Sequence, residues 1–331
     1  MQVTVRRFIA LVICFLCGTL STYANSFTFA VFDVPGAIGE TVANGINNSG
    51  QVVGYFQDSS GTPQGFLRDV NGSLTYINVP NAHGTHASGI NDLGQIVGYF
   101  AHGNHGFLYS GGVFTIINDP EAYPEHTWTR GINNSGAIAG NSISPSGQYA
   151  FVRDVKAGYT YLSCGINTAT IANAINNNGH VVGYCGDFNH GPSHGFLGTV
   201  TGITTGTGIT TQFDVPGATN TFALGINDHG DVVGYFYDGL STTNGRGFLR
   251  NAAGQFTIID VPGATGDTRI TGINNQGQIV GYFYDQTGAH GFVATPVSTP
   301  EPSTLLLVLS GLAAVHALQL CRHHPRRYRR L

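Results

Sequence analysis

The side chains able to do chemistry in this sequence are mostly histidine and aspartate: His83, His102, His105, His126, His190, His194 and His290, with Asp58, Asp187, Asp238 and Asp285. Such residues can hold a metal or move protons. No two of them form a compact ligand motif such as His-x-x-x-His on one helix, so no metal ligand is assigned and ordinary polar loop chemistry is the reading adopted. Serine, histidine and aspartate all occur, but there is no Gly-x-Ser-x-Gly elbow. No pair of carboxylates is marked by spacing as an acid and its base. No catalytic residue and no cofactor is assigned. Recognition chemistry is easier to place. Trp128 is the single tryptophan, and Arg130 follows two residues later. An apolar aromatic face beside arginine donors suits a sugar ring, through stacking and charge-assisted hydrogen bonds.

What must position these residues is one phrase, first met at Gly45 to Phe56 as Gly-Ile-Asn-Asn-Ser-Gly-Gln-Val-Val-Gly-Tyr-Phe. It recurs at 89–100, 131–142, 174–185, 225–236 and 272–283. Asn-Asn-Ser-Gly between apolar runs predicts a hairpin, with glycine in the left-handed position at 50, 94, 136, 179, 230 and 277. The leading asparagine (Asn47, Asn91, Asn133, Asn176, Asn227, Asn274) caps the turn by bonding to backbone one or two residues on; turn chemistry accounts for these residues without a metal. The following run, Val52 to Phe56, is apolar on both alternating faces, which predicts a strand covered on both sides. Its interior glycine, repeated at 98, 140, 183, 234 and 281, predicts close approach by a neighbouring chain or ring.

Each unit also has a Thr-x-Ala-x-Gly-Ile-Asn strand ahead of the hairpin. After it come a Gly-Phe strand, around Phe66, Phe107, Phe151, Phe196, Phe248 and Phe292, and a strand ending near Asp-Val-Pro. The turn asparagines lie 44, 42, 43, 51 and 47 residues apart. Four short strands at that period predict an all-β, six-bladed β-propeller of four-stranded blades. The sixth unit stops after its third strand, and Phe27 to Pro35 is an orphan of the fourth type. Pairing the two closes the ring and removes an open edge; a linear β-solenoid, the alternative, leaves the orphan unexplained. Gly165-Ile166-Asn167 imitates the phrase without its turn, and the Gly/Thr tract from Gly198 to Thr211 reads as a long outer loop.

In a propeller the first strand lines the channel, so its variable positions should ring one mouth. Its second position holds Val42, His86, Trp128, Ile171, Phe222 and Arg269, and its fourth holds Asn44, Ser88, Arg130, Asn173, Leu224 and Thr271. Residues two apart on a strand share a face. Trp128, Arg130, Arg269 and His86 are therefore the candidate ligand-binding set, with packing diversity as the plainer reading. Cys164 and Cys185 fall at strand ends on one face of the ring and are the expected disulfide of a secreted protein.

Charged residues make up 10% of the chain, and lysine occurs once, at Lys156. Seven of the 14 basic residues lie in the end segments, leaving seven against 17 acidic groups between them (7 − 17 = −10), which argues against nucleic acid as a partner. Arg6 and Arg7, the apolar run 8–20 and the small residues before position 25 predict a signal peptide over residues 1–24; at about 13 residues the run is short for a membrane span. The propeller is expected over 25–294, and a Pro/Ser/Thr linker over 295–304. An apolar helix with a basic tail follows over 305–331, and it would cross a membrane with its arginines (Arg322, Arg326, Arg327, Arg329, Arg330) in the cytoplasm.

Pro300-Glu301-Pro302, the apolar helix and the terminal arginine cluster resemble the PEP-CTERM sorting signal of Gram-negative bacteria. The resemblance implies processing by a membrane enzyme, exosortase, after transient inner-membrane anchoring. It implies release or transfer to the cell surface, often in strains that make exopolysaccharide. The repeats resemble the HAF-type extracellular repeat family, with His-Gly-Phe where that family has His-Ala-Phe. His105, His194 and His290 keep that histidine, while Gln64, Tyr149 and Arg246 replace it. No activity is implied by the repeats. The expected function is a non-catalytic binding or structural role at the surface or in the extracellular matrix, associated with extracellular polysaccharide. The alternative is a propeller-fold polysaccharide hydrolase or lyase.

Overall fold

The computed structural model describes residues 26–297, apart from 102–104, 125, 157, 166–167, 188–190, 201–208 and 240–243. The signal peptide, Pro300-Glu301-Pro302, the C-terminal helix, His102 and His190 lie outside the described residues, as does most of the Gly/Thr tract. Thr28–Thr295 forms one compact unit; of the other, the described residues are Ser26, Phe27, Pro296 and Val297, where the Val297 N–H donates to the Ser26 carbonyl (3.0 Å).

The ring is a six-bladed β-propeller, each blade one antiparallel sheet of four strands. Blade 1 runs outward through Thr41–Ile46, Val52–Gln57, Pro63–Arg68 and Leu74–Tyr76. The inner strands of blades 2 to 6 are His83–Ile90, Thr127–Ile132, Thr168–Ile175, Asn220–Ile226 and Thr268–Ile273. In blade 6 the third strand, Ala289–Pro296, pairs outward with Phe27–Phe32, so the orphan strand completes the last blade. His290 Nδ1 fastens the seam against Asp33 (2.9 Å).

The repeat glycines act as their positions require. The six turn glycines have φ between 73° and 87°. A Cβ on Gly54 would overlap the Val42 carbonyl oxygen and lie 2.9 Å from Phe66 Cζ. The same inner-strand carbonyl and third-strand phenylalanine crowd Gly98, Gly183, Gly234 and Gly281. Those phenylalanines are the largest fully buried side chains, so each blade packs an aromatic ring over a bare backbone. Buried threonines at the start of five inner strands (41, 85, 127, 170, 221) accept a hydrogen bond from the chain entering the blade. Cys164 and Cys185 are joined, their Cα atoms 6.1 Å apart, and tie blade 3 to blade 4.

The third-strand position held by His105, His194 and His290 has a structural use. His105, His194 and Arg246 pair with Asn118, Asp214 and Asp260 at the ends of their own outer strands, as His290 pairs with Asp33.

Candidate functional site

The channel is built from the inner strand of every blade and from the second strand of all but blade 3. At one end the Asn-Asn turns meet. Each leading asparagine accepts from its own turn, as Asn47 Oδ1 does from Ser49 N (3.1 Å) and Gln51 N (3.0 Å). Its amide nitrogen then donates to the same asparagine's carbonyl in the next blade. The chain of bonds runs 47→91→133→176→227→274→47 at 2.9–3.3 Å, and it closes on itself. A second closed circle lies one residue on. The backbone N–H of each of Asn48, Asp92, Asn134, Asn177, Asp228 and Asn275 donates to the next side-chain oxygen at 2.7–2.9 Å. The two carboxylates stand in opposite blades, and each also accepts two neighbouring amide N–H groups. Burial pushes the Asp228 carboxyl up, but the donors from Asn275 and Asn177 outweigh it and hold it below the usual range. These circles draw the ring tight around a narrow mouth of ≈ 110 Å³.

The rest of the channel is shaped by a β-bulge that recurs in all six blades. In each, the fourth inner-strand position is the unpaired extra residue: Asn44, Ser88, Arg130, Asn173, Leu224 and Thr271. A bulge re-aims the side chain it carries. All six line both the narrow mouth and a wider chamber of ≈ 250 Å³ beyond it. Asn44, Asn173 and Thr271 spend their polar atoms on carbonyls of the next blade.

The wall of the chamber is a circle of tyrosines from the second strands: Tyr55, Tyr99, Tyr184, Tyr235 and Tyr282. Blade 3 has Asn141 at this position. Burial raises all five phenols, Tyr282 to about 12, so they stand protonated as neutral donors. Tyr55 donates to Glu40 (3.2 Å) and Tyr282 accepts from Arg269 (3.1 Å). The hydroxyls of Tyr99, Tyr184 and Tyr235 meet no protein partner among the described residues.

The second inner-strand position, expected at the mouth, wedges between successive tyrosines in three blades, and Val42 and Arg269 from this row line the chamber. His86 lies edge-on to Tyr55 (4.3 Å) and stacks on Tyr99 (4.6 Å). Phe222 does the same between Tyr184 (4.9 Å) and Tyr235 (4.7 Å). Arg269 lies over Tyr235 (4.7 Å) and Tyr282 (5.8 Å) and lines the chamber, but its guanidinium is bound to Asp267 (2.8 Å). Burial and then the charge of Arg130 depress His86 to about 4, so it is neutral at physiological pH. Trp128 is half-buried, lies edge-on to His126 (6.1 Å) and is not among the residues lining the chamber. The structure therefore separates Trp128 from Arg130: Arg130 lines the chamber and Trp128 does not, although Val42 and Arg269 at the same position in blades 1 and 6 do. Sequence reasoning missed the tyrosine circle and Asn141, because positions shared between copies were read as scaffold. The signal was present, since the one copy with arginine at the variable fourth position is also the one copy in which Asn141 replaces the repeated tyrosine.

Arg130 differs from Arg269 in lacking a counterion. Its Nε donates to Asn141 Oδ1 (2.7 Å), and among the described residues no carboxylate pairs with it. No group of three or more His, Cys, Asp or Glu among the described residues is arranged to hold a metal.

No protein-family model and no curated protein matches the sequence. Solved structures do. AofleA from Arthrobotrys oligospora, solved as a mutant, aligns with TM-score 0.45 and 12% identity over 83% of this chain and 91% of its own. The Aleuria aurantia lectin, described as a six-bladed β-propeller with a novel fucose recognition mode, aligns with TM-score 0.38 and 12% identity over 85% and 99%. A subtype N11 neuraminidase-like protein from a flat-faced bat isolate aligns with TM-score 0.36 and 11% identity over 82% and 95%.

Proposed function

We propose that this protein is a secreted, non-catalytic binding module displayed at the surface or in the extracellular matrix of a Gram-negative bacterium, and that the tyrosine-walled chamber takes a sugar. The observation that carries the reading is the chamber itself. Five phenol rings enclose it, and an arginine reaches into it; among the described residues three of the hydroxyls meet no protein partner and the arginine meets no carboxylate. Aromatic faces cover the apolar face of a sugar while phenol and guanidinium donors meet its oxygens. At ≈ 250 Å³ the chamber suits a single sugar residue, and many displayed copies supply avidity for a polymer.

The two carboxylates bonded to chamber residues, Glu40 and Asp267, are already engaged. Glu40 is held by Tyr55 and Gln57, and Asp267 by Arg269, Tyr237 and the backbone N–H groups of Asn244 and Gly245. Neither stands free as the acid of a glycosidase couple. Secretion is supported by the apolar leader at residues 8–20. Surface sorting by an exosortase-type enzyme is supported by Pro300-Glu301-Pro302 and the arginine-ended tail.

The test is a binding screen of the protein against the producer's exopolysaccharide, with reducing-end release assayed in parallel. Binding without release is expected; release would establish the hydrolase or lyase alternative. Mass spectrometry of protein from the native surface should lack the arginine cluster, and an intact C-terminus would remove the sorting reading.

A further inference from the structure

Resting on the sugar-binding reading above, we propose that the chamber is selective for an acidic sugar, whose carboxylate is the missing counterion of Arg130.

Blades 3 and 6 face each other across the channel, and each brings one arginine to it. In blade 6 the counterion is built in: Arg269 is held by Asp267. In blade 3 it is not. Among the described residues Arg130 makes one side-chain hydrogen bond, from Nε to the neutral amide of Asn141, which leaves the outer guanidinium nitrogens to the cavity. The carboxylates of Asp92 and Asp228, which line the narrow mouth with Arg130, are each engaged by three N–H donors. A half-buried cation without a partner carries a desolvation cost that an anionic ligand removes.

Asn141 shows that this arginine is held on purpose. It is 1% exposed, and its amide nitrogen is buried with no acceptor. A buried donor left unpaired needs a reason. Turning the amide over would set its N–H2 group against the guanidinium, so the orphaned donor follows from fixing the oxygen on Arg130. The repeats make the same point. The only copy with arginine at the bulge is the only one without tyrosine opposite, and the shorter asparagine leaves the space into which Arg130 reaches. A planar guanidinium held at Nε presents its other edge for two parallel bonds to a carboxylate. The sugar ring would then lie against Tyr99 and Tyr184 in the flanking blades.

The experiment is calorimetric titration of the full chain with glucuronic acid, glucose and acetate. The chain is compared with R130S/N141Y, which copies the Ser88 and Tyr99 pair of blade 2 and so completes the tyrosine circle with a combination the fold already uses. A second variant, Arg130→Met, serves if the double variant loses its cooperative melt. Glucuronate should bind ~10–100-fold more tightly than glucose, the worth of a hydrogen-bonded charge pair. Either variant should reduce it to the level of glucose, with the melting temperature moved by only a few degrees. Equal binding of glucuronate and glucose, or glucuronate binding indifferent to both variants, overturns the selectivity while leaving the sugar reading intact. Acetate binding as tightly as glucuronate, lost in the variants and with no glucose binding, supports the carboxylate site but overturns the sugar. Binding of none of the three overturns both.

Discussion

Asn91→Ala tests whether the asparagine circle holds the propeller closed. Asn91 is 4% exposed and makes four side-chain hydrogen bonds. Two stay within its turn, accepting from Leu93 N (3.1 Å) and Gln95 N (3.0 Å). One reaches Gln95 Oε1 (2.8 Å), and one crosses to the Asn133 carbonyl of the next blade (2.9 Å). At about 1 kcal/mol each the total is about 4 kcal/mol. Leu93 and Gln95 lie toward solvent, where water replaces part of what is lost, while the Asn133 carbonyl keeps one donor, Gly136 N. The net cost is therefore about 2–3 kcal/mol. At about 2–4 °C per kcal/mol for a domain of this size, the melting temperature should fall by about 4–12 °C. Thermal melts followed by circular dichroism read this directly, with Asn71→Ala in an exposed turn as the control. Equal melting temperatures for the two variants would show that the circle is a consequence of ring closure and not a support for it.

Gly54→Ala forces a methyl group onto the Val42 carbonyl and the Phe66 ring, and should cost about 3 kcal/mol, read as a lower denaturation midpoint. Reduction of Cys164–Cys185, or the double serine variant, opens a link between residues 21 apart and should remove about 3 kcal/mol; an unchanged melt in reducing buffer would contradict this. The seam should respond to pH through His290. Burial opposes its cation, but Asp33 and Asp285 outweigh that and raise its pKa above 6.5. Its contribution is thus full below about 6.5 and fades as pH rises through the folded value. Bonds from Thr287, then from His290, lower Asp285 to about 2, so its share is full above 3.8 and fades as pH falls toward 2. The difference in melting temperature between the native chain and His290→Gln should be greatest near about pH 5 and shrink toward alkaline pH; growth toward alkaline pH would contradict the assignment.

Much of the fold was legible because its determinants are local and repeated. Gly50 and its five counterparts need a left-handed turn, Gly54 needs a bare backbone, and Phe27 to Pro35 needs a blade to complete. The site was less legible, for a reason of register. Arg130 and Trp128 are two residues apart, and only pairing with the second strand reveals the extra residue between Thr129 and Gly131. Bulges carry no residue signature of their own here, since the bulged position holds Asn, Ser, Arg, Asn, Leu and Thr in turn. The tyrosines were hidden differently. Repetition marked them as scaffold, yet a position repeated around a ring axis becomes a wall around whatever lies on that axis. The inter-blade reach of Asn47 and Asn48 was equally invisible from one copy, whose turn leaves one Asn47 amide N–H to donate outward and engages neither end of the Asn48 amide.

The central claim, that the tyrosine chamber is the binding site, is tested most directly by a crystal of the protein soaked with glucuronic acid. The account predicts density for one sugar inside the channel, against Tyr99 and Tyr184, with its carboxylate on Arg130. Density for the sugar on the outer rim or between blades, with the chamber holding only water, would contradict it.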